Sequence, residues 1–123
     1  MILGIGVDLT PVDRMARAMA AHDGRLEVKL FTEAERAYCK RRAAPAEPFA
    51  ARFATKEATL KALGVPSGLS WHEMEVISSE SGAPKLILHG RAQEAAQRLG
   101  VRNLHLSISH AGGQAIAMVV LEG

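Results

Sequence analysis

The segment Phe49-Ala50-Ala51-Arg52-Phe53-Ala54-Thr55-Lys56-Glu57-Ala58-Thr59-Leu60-Lys61-Ala62-Leu63-Gly64 decides the fold. Phe49, Phe53, Glu57, Leu60 and Gly64 follow one another at steps of 4, 4, 3 and 4, so on a helix they share one stripe. Gly64 closes the segment and Pro66 bars its continuation, which predicts a helix over 49–63 after a break at 43–48. Upstream, Ile2 to Leu9 alternates, with Leu3, Ile5, Val7 and Leu9 on one side and Gly4, Gly6 and Asp8 on the other. That is a strand pattern. Thr10-Pro11 ends it and opens a helix to about Ala21, and Thr32 with Glu35 forms a capping-box pattern for another helix, to about Arg42. Downstream the signals are mostly strands: 71–77 and 85–88 around the turn Ser81-Gly82-Ala83-Pro84, then 104–109 and 114–121 flanking Ala111-Gly112-Gly113. Only a short helix, Gly90 to Leu99, interrupts them. One strand, several helices and then strands predict an α+β fold, helices packed on an antiparallel sheet, as one domain over 1–123.

Composition narrows the function classes. Apolar residues make up 48% and charged residues 23%, a globular balance. The longest apolar run, Ala115 to Leu121, is too short to cross a bilayer, and Met1 to Gly4 carries no basic signal region, so neither a membrane nor export is expected. The net charge of +2 is uneven, +3 over residues 1–61 and −1 over 62–123, which suits phosphates or an acidic partner protein. The cluster Arg36, Lys40, Arg41 and Arg42 reads more readily as a solvated helix end. Aromatic residues are only 4%, too few for a stacking platform, so nucleic acid is not an expected partner. Cys39 is the only cysteine, which excludes an internal disulfide and agrees with the reducing cytoplasm. In a helix-like stretch it reads as a packed thiol rather than a nucleophile.

Three polar features resist a purely structural reading. Asp8 ends the first strand on the side that otherwise carries glycines, where a ligand or another backbone can approach, unless it simply caps the following helix. Glu57 interrupts an apolar stripe, which costs free energy unless it is paired, with Lys61 one turn on or with a metal. Two carboxylates from different elements suit a hard cation such as Mg²⁺ bridging to phosphate, and the lack of a His or Cys cluster argues against zinc. The strand Leu104 to His110 places His105, Ser107 and Ser109 on one side, either a wet sheet face or a polar row. With the Lys56/Lys61 pair, these hydroxyls and imidazoles could hold a polyphosphate. No Gly-x-Ser-x-Gly elbow accompanies them, so a hydrolase triad is not indicated.

Taken in order, Gly4-Ile5-Gly6-Val7-Asp8-Leu9, Arg52-Phe53-Ala54-Thr55-Lys56-Glu57-Ala58, Lys61-Ala62-Leu63-Gly64 and Leu106-Ser107-Ile108-Ser109-His110 resemble the holo-acyl-carrier-protein synthases. These are the small 4′-phosphopantetheinyl transferases. Phe31-Thr32-Glu33, Trp71, Glu75-Val76 and Gly82-Ala83-Pro84 follow the same order, so the resemblance covers nearly the whole chain. It implies transfer of the phosphopantetheine arm of coenzyme A to a serine of apo acyl carrier protein, with Mg²⁺ required and adenosine 3′,5′-bisphosphate released. By motif match it implies Asp8 and Glu57 as metal ligands and, with Lys61, as the catalytic set. Lys61 would contact the coenzyme A phosphates, and Arg52, Gly82, Pro84, Ser109 and His110 would hold the nucleotide end. Arg14, Arg17 and Arg25 fall in the region that docks the carrier protein, and the resemblance implies a homotrimer with active sites between subunits. Attack of a serine hydroxyl on the β-phosphate needs charge neutralisation and a base, for which a metal-bound water and one of the carboxylates both qualify. Two positions depart from the family pattern: Val65-Pro66-Ser67-Gly68 stands where many members have Thr-Gly, and Ala111 follows His110 where a polar residue is frequent. The competing readings are an inactive binding module and a metal-dependent nucleotide hydrolase.

Overall fold

The computed structural model describes residues 1–79 and 81–123. Its elements run β1 (Ile2–Pro11), α1 (Val12–Ala21), α2 (Arg25–Leu30), α3 (Glu33–Lys40), α4 (Ala46–Ala62), a 3₁₀ turn (Trp71–Glu73), β2 (Met74–Ser78), β3 (Pro84–Leu88), α5 (Gly90–Leu99), β4 (Asn103–Ala111) and β5 (Gln114–Glu122). β1, β5 and β4 form a three-stranded antiparallel sheet in that order, and β2 and β3 pair as a separate antiparallel ribbon. The α+β class expected from the sequence is therefore the one observed.

Helix α4 lies across the inner face of the three-stranded sheet, and the sequence explains how it gets so close. A Cβ on Gly4 would collide with the carbonyl oxygen of Ala62, and one on Gly6 with that of Ala58. The glycine side of β1 thus meets a helix backbone at Gly4 and Gly6, and only Asp8 opens onto a cavity. Ala54, Ala58 and Ala62 of α4 are buried against Ala117, Val119 and Leu121 of β5, and small residues on both sides make the contact possible. The opposite, apolar side of β1 faces outward: Ile5 is 62% exposed and Leu9 54%. Met118 and Ile116 of β5 continue that face, with Met118 opposite Val7 and Ile116 opposite Leu9.

Most boundaries fall within two residues of the expected ones; two starts move by three residues and one element is new. α4 starts at Ala46 rather than Phe49, because Pro48 sits in the first turn, where no helical hydrogen bond needs its missing N–H. Trp71 to Glu73 is a 3₁₀ turn capped by Ser70, and the strand starts only at Met74. α2 was not foreseen; its six residues are too short to show a helical period. The capping box forms as expected, Thr32 Oγ1 accepting from Glu35 N and Thr32 N donating to Glu35 Oε1 at 2.9 Å. Gly112 and Gly113, at φ 59° and 74°, make the two-residue β4–β5 turn.

Candidate active site

Asp8, near the end of β1, and Glu57, in the middle of α4, line one cavity of about 400 Å³. Asp8 caps nothing: Pro11 is the N-cap of α1, and no side chain caps that helix. Thr10 Oγ1 makes a long contact of 3.4 Å to Asp8 Oδ2, and Lys61 Nζ lies 3.2 Å from Asp8 Oδ1 and donates to the Val7 carbonyl at 2.9 Å. Lys61 therefore reaches across to β1 and does not pair with Glu57, one turn before it. Burial raises the Glu57 pKa above the ordinary range, and the Asp8 carboxylate raises it further. Lys61 and Arg14 pull it down without offsetting the rise.

Around the carboxylates the cavity is basic at Arg14 and Lys29 and apolar at Met15, Leu26 and Leu30. Phe53 and Trp71 also line it, with ring centroids 5.5 Å apart. Arg17 and Arg25 are exposed beside it, Arg17 one turn after Arg14 on α1. Among the described residues no set of three or more His, Cys, Asp or Glu side chains gathers anywhere. The Asp8/Glu57 pair fits a hard divalent cation, since Mg²⁺ takes one or two carboxylates and fills its remaining positions with water and substrate phosphate.

The structure gathers a second group of expected residues elsewhere. Arg52, Gly82, Pro84 and His110 line a shallow hollow with Tyr38 and Ser78. Arg52 is only 4% exposed, its guanidinium stacks on the Tyr38 ring at 4.3 Å, and its Nη2 donates to Ser78 Oγ at 3.0 Å. Its Nε is buried without a hydrogen-bond partner among the described residues. Arg42 lies 4.4 Å from the same ring and donates to Tyr38 Oη, which lowers the tyrosine's pKa. The sequence reading named Arg42 only within a basic cluster and gave Tyr38 no role. Their spacing of four residues was legible, but Arg52 above the same ring depends on how α4 packs on α3.

One expectation needs correction. Lys56 holds no phosphate: it is fully buried, bonded to Glu35 Oε1 at 2.8 Å and to the Met74 and Trp71 carbonyls at 2.6 and 3.0 Å. Burial lowers its pKa, and Glu35 only partly restores it. Ser109, expected with His110 at the nucleotide end, points to the other face of β4 within one chain. The two alternate across β4, so Ser109 shares the outer face with Ile116 and Leu9, while His110 sits at the hollow. His105 and Ser107 lie on that outer face as well, exposed, as a wet sheet face requires. Cys39 is buried with its pKa raised to about 11, chiefly by desolvation, so it is a packed thiol.

The sequence model of the 4′-phosphopantetheinyl transferase superfamily matches residues 4–119. The fold is close to that of the crystal structure of holo-[acyl-carrier-protein] synthase from Neisseria meningitidis, with a TM-score of 0.87 and 26% identity over 100% of both chains. It is also close to that of the Helicobacter pylori holo-[acyl-carrier-protein] synthase in complex with coenzyme A, with a TM-score of 0.83 and 30% identity over 96% of this chain and 99% of that one. In sequence it is 48% identical to the holo-[acyl-carrier-protein] synthase of Anaeromyxobacter dehalogenans, over 100% of this chain and 98% of that protein. The chain belongs to the holo-acyl-carrier-protein synthase family of 4′-phosphopantetheinyl transferases and is an enzyme of that family.

Proposed function

We propose that this protein transfers 4′-phosphopantetheine from coenzyme A to a serine of apo acyl carrier protein, giving the holo protein and adenosine 3′,5′-bisphosphate. The observation that carries the reading is the pair Asp8 and Glu57, brought by β1 and α4 to one basic-rimmed cavity beside Lys61. The pair would hold Mg²⁺, which when bound neutralises the pyrophosphate and polarises its phosphorus–oxygen bonds. Lys61 binds the coenzyme A phosphates as a flexible ammonium. Arg52 and His110, with the backbone at Gly82 and Pro84, hold the nucleotide end; Arg14, Arg17 and Arg25 attract the acidic carrier protein. Phe53 and Trp71 keep an apolar, poorly hydrated wall beside the carboxylates, which strengthens charge interactions there. In the reaction a bond forms between the serine oxygen and the β-phosphorus. The bond from that phosphorus to the bridging oxygen breaks, the oxygen departing with adenosine 3′,5′-bisphosphate, and the hydroxyl proton passes to a base, a water at the site or one of the two carboxylates.

The whole of 1–123 acts as one transferase domain, in the cytoplasm; no helix among the described residues is long and apolar enough to cross a membrane. We further propose a homotrimer with its sites between subunits. What supports it is the exposed apolar face formed by Ile5, Val7, Leu9, Ile116 and Met118, and the position of Ser109 on that face, away from Asp8. The test follows release of adenosine 3′,5′-bisphosphate from coenzyme A. Release that requires apo carrier protein, and stops when its acceptor serine is replaced by alanine, is expected. Consumption of coenzyme A without carrier protein would favour a nucleotide hydrolase instead.

A further inference from the structure

The Lys61 ammonium sits on the very carboxylate that the proposed function assigns to the cation. Its contacts are a carboxylate oxygen of Asp8 at 3.2 Å and the Val7 carbonyl at 2.9 Å, both on β1, although Glu57 is the residue one helical turn away on its own element. Asp8 is 15% exposed at its side chain and Lys61 51%, so the lysine reaches from solvent to a mostly covered acid. No other ion pair involves Asp8 or Glu57 among the described residues; Arg14 shares their cavity without bridging to either. An ammonium and a divalent cation on one carboxylate repel each other and draw on the same negative charge, so the two compete for Asp8.

Resting on the function proposed above, we infer that Lys61 is the counter-ion of Asp8 in the free protein. It leaves Asp8 when a phosphate-bearing substrate arrives to receive it. The ammonium then moves from a carboxylate to a phosphate and loses no partner, while the cation loses its competitor for Asp8. Divalent cation and coenzyme A consequently bind with positive coupling, each making room for the other, and linkage requires the effect to be equal in both directions. Lys61 thus has a second role besides contacting phosphate: it keeps the carboxylate pair from filling with cation before the substrate is present.

The experiment titrates Mn²⁺, as a paramagnetic probe, into the full chain by electron paramagnetic resonance, with and without coenzyme A and with no carrier protein present. Lys61→Met is expected to bind Mn²⁺ alone about fivefold more tightly than the parent protein, the worth of a partly exposed ion pair. The enhancement of Mn²⁺ affinity by coenzyme A should shrink by the same factor. Arg14→Gln, which removes a nearby charge that does not touch Asp8, separates direct competition from general electrostatics and should tighten Mn²⁺ binding by less than about twofold. Mn²⁺ affinity unchanged or weakened in Lys61→Met, or a gain no larger than that of Arg14→Gln, would overturn the inference while leaving the carboxylate site standing. Mn²⁺ binding unaffected by both Asp8→Asn and Glu57→Gln would remove the site itself and the inference with it. Circular dichroism confirms that each variant is folded, which the exposure of Lys61 favours.

Discussion

At the scale of single residues, two lysines of α4 look alike in sequence and do opposite work. Lys56 is buried and structural, whereas Lys61 is half exposed and reaches a carboxylate of the proposed site. Glu35 receives Lys56, the Thr32 N–H and the Val76 N–H at 2.8–2.9 Å, so both oxygens of this buried carboxylate are bonded. Lys56→Met would strand that carboxylate in the core, and a loss of about 3–5 kcal/mol in urea unfolding is expected. Asp8 and Glu57 have no such set of donors. Asp8→Asn or Glu57→Gln should lower transfer by about 10²-fold or more with the fold intact; near-normal activity in either would remove it from the metal set. The raised pKa of Glu57 also sets a sign. A carboxyl whose folded-state pKa exceeds its unfolded value contributes stability that is present below the unfolded value and lost as pH rises through the folded one. Without divalent cation, Glu57→Gln should therefore melt at a higher temperature than the parent at pH 7–8, and the gap should close below about pH 4. A thermal melt in EDTA across that range checks it.

At the scale of elements, β1 and α4 make the site by coming closer than side chains would permit. Gly6→Ala should cost about 3 kcal/mol, because the helix carbonyl it would strike cannot rotate away, and calorimetry on the folded fraction measures it. This is also where the sequence was most informative. The alternation of Gly4 and Gly6 with Ile5 and Val7 gave the strand, and the position of Glu57 among apolar neighbours marked it for a paired role. What was hidden were contacts made across the chain. Nothing local distinguishes Lys56 from Lys61, since burial of the first is decided by Glu35 on α3 and the carbonyls of Trp71 and Met74. Ser109 and His110 are sequence neighbours that a strand sends to opposite faces, so a motif containing both says nothing of which site each joins. On α1, Arg14 lines the carboxylate cavity and Arg17 does not, so charge reversal at Arg17 is the cleaner probe of docking. Arg17→Glu should raise KM for carrier protein about tenfold with KM for coenzyme A unchanged.

At the scale of the whole molecule, the question is what covers the outer face of the three-stranded sheet. Its apolar residues lie side by side across paired strands, with Val7 opposite Met118 and Leu9 opposite Ile116, so they form one patch rather than scattered contacts. In the proposed trimer that patch is buried, and the cavity of Asp8 and Glu57 is completed by the Arg52 hollow or the Ser109 face of a neighbour. Val7→Lys, which points into the patch and away from α4, should yield monomer by sedimentation analysis, with transfer lost although helix content is kept. A trimer persisting in that variant would move the contact elsewhere. The most direct test of the central claim is the intact mass of an apo acyl carrier protein after incubation with this protein, coenzyme A and Mg²⁺, with and without EDTA. The expected result is a gain of one phosphopantetheine that EDTA abolishes. No gain with any of several carrier proteins, or a gain indifferent to EDTA, would contradict transfer through a cation held by Asp8 and Glu57.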